Sequence, residues 1–143
     1  MKKIFLLCFI SVLIISGCKK ESQKQPPLLN TKWELSYVQD PKTKSVIYYP
    51  AVETIKIVVS FTDSVNVVSY TGICNTGQGT YSYSEASGTL EVQNISSTKV
   101  ACKFIEWESY TTQSLSEAYG YEINGNSLTI YSNWEYNLFF TKK

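Results

Sequence analysis

Lys32-Trp33-Glu34-Leu35-Ser36-Tyr37 is the stretch on which the fold turns, because Trp33, Leu35 and Tyr37 alternate with Lys32, Glu34 and Ser36. A period of two puts the large apolar side chains on one face of an extended strand and the polar ones on the other. The run Ile55-Lys56-Ile57-Val58-Val59-Ser60-Phe61 repeats the pattern, with Ile55, Ile57, Val59 and Phe61 on one face. The same reading places strands at Val65–Tyr70, Gly79–Tyr83, Thr89–Gln93, Tyr119–Ile123, Ser127–Tyr131 and Tyr136–Thr141, with Asn124-Gly125 and Ser132-Asn133 as the turns between the last three. From Lys103 to Ala118 the period changes: Phe104, Trp107, Thr111, Leu115 and Ala118 recur every three or four residues without glycine or proline, which predicts one amphipathic helix. The expected fold class is therefore mainly β (α+β). It is a small curved antiparallel sheet or open β-barrel of about eight short strands with one helix packed on it, since curvature and closure protect strand edges.

The N-terminus decides where such a domain works. Met1-Lys2-Lys3, an apolar run from Ile4 to Ile15, and Ser16-Gly17 before Cys18 have the layout of a bacterial lipoprotein signal peptide over residues 1–17. The apolar run is too short to span a membrane comfortably. Cys18 is then the lipidated first residue, its thiol carrying the lipid as a thioether, and the small residues before it let the peptidase reach the bond. Residues 18–29, polar and proline-bearing, read as a disordered tether, and residues 30–143 as one domain of about 115 residues. Lys19 after the cysteine, with no aspartate there, fits the default pattern for the outer membrane. The expected location is the cell envelope, lipid-anchored, and the expected state a monomer.

Composition narrows the chemistry. Removing residues 1–17 takes Lys2 and Lys3 away and leaves 11 lysines against 12 acids, and the chain has neither histidine nor arginine. Without arginine forks or a basic face, nucleic acid is not an expected partner. Lack of imidazole rules out serine–histidine and cysteine–histidine nucleophile pairs and histidine-bearing zinc sites. No catalytic residue, metal ligand or cofactor is assigned, and the chain is not expected to be an enzyme. Glu106 and Glu108, two apart on the predicted helix, face different ways and make a poor acid–base pair; Glu108 is free to bond buried backbone or a tyrosine hydroxyl.

Cys8 leaves with the signal and Cys18 is acylated, so Cys74 and Cys102 are the thiols left in an oxidising compartment, and a disulfide between them is expected. Two buried reduced thiols, or a metal pair lacking further ligands, are the alternatives. A bridge would close a loop of about 29 residues and contribute about 3.5 kcal/mol by loop entropy.

These residues also carry a family likeness. Gly72-Ile73-Cys74-Asn75-Thr76-Gly77-Gln78-Gly79-Thr80-Tyr81 and Ile95-Ser96-Ser97-Thr98-Lys99-Val100-Ala101-Cys102 resemble the paired Gly-x-Cys-Asn…Gly-x-Tyr and Thr-x-x-Ala-Cys motifs of the META domain, found in HslJ-like heat-shock lipoproteins. Asn30-Thr31-Lys32-Trp33-Glu34-Leu35 is similar to its first strand, Glu108 and Leu115 to residues of its helix, and Leu128-Thr129-Ile130 to its closing strand. Ile73 stands where the family commonly has glycine, and Lys103 where proline often follows the second cysteine. The resemblance implies a small curved antiparallel sheet with a helix, no established enzyme activity, and an association with envelope stress response and resistance to a hydrophobic antibiotic.

Read as residues, the first motif is a bend. Gly72, Gly77 and Gly79 permit positive φ or a bulge, and Asn75 can bond its own backbone; a phosphate cradle would need a following helix start and a lysine. Ser97 or Thr98 fits a helix cap better than a nucleophile. Most of the 3 tryptophans and 11 tyrosines should face a core, but Trp33, Tyr81 and Trp107 are candidates to line a groove for an amphiphilic ligand. Asp63-Ser64-Val65 resembles a bacterial glycosylation acceptor at Ser64, and Asn94-Ile95-Ser96 has the form of a eukaryotic sequon.

Two functional classes follow. One is a non-enzymatic envelope lipoprotein that binds a hydrophobic small molecule or a partner protein; the other is a structural or inhibitory surface module that acts through exposed loops such as Gln39–Pro50. The first calls for an apolar pocket beside Trp107, the second for a filled core and an exposed aromatic patch.

Overall fold

A computed structural model describes residues 27–50, 54 and 56–143. Residues 1–26, 51–53 and 55 lie outside them, and with these the signal peptide, Cys18, most of the tether and Ile55. Among the described residues no helix is long and apolar enough to cross a membrane.

Among the described residues nine strands and one α-helix follow in order: β1 (Lys32–Gln39), β2 (Val46–Tyr48), β3 (Val58–Thr62), β4 (Val67–Thr71), β5 (Thr76–Ser84), β6 (Thr89–Ser97), α1 (Ile105–Ser116), β7 (Ala118–Asn124), β8 (Ser127–Ser132) and β9 (Asn137–Lys142). All the strand ladders are antiparallel, and each strand from β3 to β9 pairs with the next. β1 pairs with β3 on one side and with β9 on the other, from Trp33↔Lys142 to Gln39↔Asn137, so eight strands close on themselves. The barrel is closed rather than open. Both edges that an open sheet would expose are used up by the β1–β9 ladder. The weakest seam is β6–β7, paired only at Thr89↔Gly120; α1 connects these two strands and packs against β6, β8 and β9.

The interior is filled with aromatic and branched side chains, with Trp33, Ile57, Val59, Phe61, Leu128 and Leu138 all fully buried. The period-two reading of β1 holds for Trp33 and Leu35 and then fails. Ser36 is bulged out against β9, which shifts the phase by one, so that Val38 turns inward and Tyr37 stacks outside on Phe139 at 4.4 Å. The domain also begins before residue 30. Leu28 is buried in the core, Leu29 bridges to Phe61, and the Thr31 hydroxyl donates to the Pro27 carbonyl at 2.8 Å, so the last tether residues belong to the barrel.

The predicted strand at Val65–Tyr70 starts two residues late, because Asp63–Val65 form a 3₁₀ turn that Asn66 ends at φ 50. β2 lies within the expected loop Gln39–Pro50 and forms by pairing with the end of β1. Asn124-Gly125 does turn the β7–β8 hairpin, with Gly125 at φ 58. In the β5–β6 ladder a bulge sets Asn94 and Ile95 against Gly79, and Asn94 takes φ 54. Here Gly79 is needed for closeness, not for positive φ: a Cβ would meet the Gln93 carbonyl at 2.8 Å.

On β7 and β8, Tyr131 donates its hydroxyl to Glu122 at 2.7 Å, and this bond, then burial, pushes its ionisation from 10.0 up to about 12. A phenol whose folded value lies above its unfolded one stabilises the fold below about pH 10 and loses that contribution as pH rises toward 12. Following the Tyr131 ring-carbon shift by NMR should show titration near 12 in the wild type and clearly lower in Glu122→Gln. Identical titration in both would contradict the bond.

Candidate functional site

Helix α1 carries a carboxylate on its buried face. Trp107, Glu108, Thr111, Ser114 and Leu115 are the helix residues turned inward, while Glu106 is exposed. Acids in the first turn suit the positive end of the helix dipole. The helix starts later than predicted, at Ile105, with Phe104 at the N-cap position in a left-handed conformation and no side-chain cap. Thr98 therefore does not cap it.

Glu108 is 3 % exposed and is held by the loop before β5. Its Oε1 accepts the backbone N–H of Cys74 at 2.8 Å and of Asn75 at 3.1 Å, and its Oε2 accepts Asn75 Nδ2 at 2.6 Å. Asn75 is equally buried and works at long range instead of bonding its own turn. Nδ2 also donates to the Val100 carbonyl at 3.0 Å, while Oδ1 accepts the Val100 N–H at 2.7 Å and the Thr98 hydroxyl at 2.8 Å. Thr98 in turn accepts the Thr76 N–H at 3.2 Å. One amide and one carboxylate thus tie together the 72–76 loop, the 98–100 segment and the helix. Gly72 makes room for this: a Cβ there would lie 2.5 Å from Glu108 Oε1.

The expected disulfide is present beside this knot, joining Cys74 to Cys102 across a sequence separation of 28. Cys74, Cys102 and Glu108 have ligand atoms within 4.8 Å of one another, yet they do not fit a metal. Both sulfurs are spent in the bridge, and the carboxylate is committed to three N–H donors.

Outside the knot lies a cavity of about 310 Å³ lined by polar and apolar groups, among them Tyr70, Thr98, Val100, Ile105 and Thr112. Burial, partly offset by a hydrogen bond with Ser97 and reinforced by the Glu108 charge, raises the Tyr70 ionisation.

The three aromatic residues proposed for a groove are all core. Trp33 is fully buried, its indole N–H directed at the Leu28 carbonyl at 3.3 Å. Tyr81 packs edge-on against Phe61 at 5.1 Å, and its buried hydroxyl has no hydrogen-bond partner among the described residues. Trp107 is wedged against Tyr49 at 5.1 Å and Tyr110 at 5.7 Å. None of them lines the cavity beside Glu108. Ser64, the glycosylation candidate, is exposed on the 3₁₀ turn.

Exposed large apolar side chains occur at Val65, Val100, Ile105 and Tyr119, and three consecutive ones lie within the predicted loop Gln39–Pro50. Val46, Ile47 and Tyr48 are 37 %, 40 % and 72 % exposed on β2, and Tyr48 leans on Tyr37 at 5.5 Å, next to Phe139. Among the described residues β2 pairs with β1 alone.

The Glu108–Asn75 knot was half visible in the sequence. A glutamate on the apolar stripe of a helix signals a buried acceptor, but nothing local shows where its donors come from.

No curated protein matches the chain. An NMR structure of a protein from Burkholderia xenovorans is similar at 18 % identity and a TM-score of 0.65, covering 87 % of this chain and 96 % of that one. A crystal structure of a DUF4847 family protein from Bacteroides vulgatus ATCC 8482 is similar at 13 % identity and a TM-score of 0.56, covering 80 % and 93 %. At these identities the likeness is one of fold. The META domain family model matches residues 26–143, a span that takes in the early-starting barrel, the bridged Cys74 and Cys102 and Glu108. The chain belongs to the META domain family.

Proposed function

We propose that this protein is a non-enzymatic, lipid-anchored envelope protein that engages a partner protein through the exposed strand β2, in the envelope-stress setting that the family likeness implies. The observation that carries the reading is the pairing of buried aromatic residues with an apolar strand that, among the described residues, is paired on one side alone: Trp33, Tyr81 and Trp107 are buried in the core, while Val46, Ile47 and Tyr48 face outward. A strand paired on one side offers backbone N–H and C=O groups to an incoming strand, with side-chain contacts adding specificity. Absence of catalysis is supported by the lack of histidine and by a buried carboxylate whose oxygens are already engaged. The N-terminal lipobox supports anchoring through Cys18.

A photo-reactive amino acid at position 48 should give a discrete cross-linked partner in intact cells, lost when Ile47 is changed to lysine. A probe at exposed Glu122 should give none. Equal cross-linking at both positions would overturn the reading. Titration with fatty acids and lipophilic antibiotics should leave tryptophan emission unchanged. A saturable shift abolished by Trp107→Phe would instead favour a hydrophobic small molecule as the ligand.

A further inference from the structure

The chain enters the barrel beside a cluster of lysines. Pro27, Leu29, Asn30, Thr31, Lys32, Lys142 and Lys143 line one depression of about 740 Å³, three lysines with no acidic residue among the described residues of the lining. Backbone bonds hold the depression in shape: Lys143 N–H donates to the Lys32 carbonyl at 2.9 Å and Lys142 N–H to the Asn126 carbonyl at 2.8 Å. The first described residue is fixed there too, through the Thr31–Pro27 bond and the burial of Leu28.

We propose that this depression is a membrane-facing surface that docks the barrel onto anionic phospholipid headgroups. The inference rests on the anchored reading above for its geometry. Residues 18–26, which lie between the lipidated cysteine and the barrel, can span at most about 30 Å when fully extended. A domain tethered that closely can turn its entry point to the bilayer, where a negative surface potential acts within about a Debye length. The lysines carry the charge, and Leu29 and Pro27 add apolar surface beside them. Glu34 shares the outward face of β1 with Lys32 and sits opposite Thr141, beside Lys142; like Asp63 and Glu85 it lies outside the depression's lining, and contact is made by the sector around the start of β1 and the end of β9. A C-terminal carboxylate on Lys143 would offset one of the three charges.

The test uses the chain from residue 18 with Cys18→Ser, so that no acyl chain contributes. Sedimentation with phosphatidylcholine vesicles containing phosphatidylglycerol should show binding that high salt abolishes and that pure phosphatidylcholine does not support. The triple variant Lys32→Gln, Lys142→Gln, Lys143→Gln should lose on the order of 100-fold in partitioning, at about tenfold or somewhat less per lysine. Neutralising Lys19, Lys20 and Lys24 should leave binding by the barrel measurable. Unchanged partitioning of the triple variant, or equal binding to neutral vesicles, would overturn the docking surface. Anchoring is read separately, by clickable palmitate labelling of the wild type against Cys18→Ala: equal label on the two would sink the anchor without touching the vesicle result.

Discussion

Glu108→Ala should lower the unfolding free energy by about 3 kcal/mol, read as a drop in the urea midpoint with an unchanged slope. The variant removes the acceptor for three donors at once, the N–H groups of Cys74 and Asn75 and the Asn75 amide. Leaving a buried donor without its acceptor commonly costs about 1–3 kcal/mol, and the three losses do not simply add here because the adjoining cavity of about 310 Å³ lets water reach part of the loop. Glu108→Gln separates charge from shape. Its carbonyl oxygen can still accept the two backbone N–H groups, but its NH₂ then faces Asn75 Nδ2, donor against donor. Asn75 cannot flip to relieve this without turning its oxygen toward the Val100 carbonyl and its NH₂ toward the Val100 N–H. The glutamine variant should therefore lose about 2 kcal/mol, at the level of hydrogen bonds to a charged group. A loss under about 1 kcal/mol for the alanine variant would mean that the knot does not hold the fold together.

Removing the disulfide should have a comparable effect. Cys74–Cys102 spans 28 positions, and loop-closure entropy for such a ring is worth about 3.5 kcal/mol. Cys102→Ser should lower stability by about that amount, and reduction of the wild type should match it within about 1 kcal/mol. Alkylation of the folded, unreduced protein followed by peptide mapping should find neither thiol free. Quantitative labelling of both would refute the bridge. The two clamps hold the same loop, with Cys74 contributing its sulfur to one and its N–H to the other. Glu108→Gln combined with Cys102→Ser should accordingly lose about 1 kcal/mol less than the sum of the single variants. Strict additivity would show that the two ties act on the chain independently.

The sequence by itself determined what depends on neighbours a few residues apart. Alternation at Trp33 and Leu35 and at Val59 and Phe61 specified strands with an inner face, three- and four-residue spacing between Trp107 and Leu115 specified the helix, and Asn124-Gly125 specified a hairpin turn. Even the disulfide followed from counting thiols. The tertiary structure alone decided which elements meet. Closure of β1 on β9 joins Ser36 to Thr141 over 105 positions through a hydroxyl pair at 2.8 Å, and no local pattern encodes that register. The same closure bulges Ser36, and so turns Tyr37 outward against the alternation that would have buried it. As a sequence position Asn75 reads as a local turn residue because its side chain can bond its own backbone, yet the nitrogen and oxygen partners of that side chain stand 23 to 33 residues away. Core packing is the expectation for most of the aromatic residues, and Trp33, Tyr81 and Trp107 fit a groove as well because polar-tipped rings serve both. Periodicity reports which face of an element is apolar; what covers that face depends on how all the elements close together, and here closure buried Trp33, Tyr81 and Trp107 in the core.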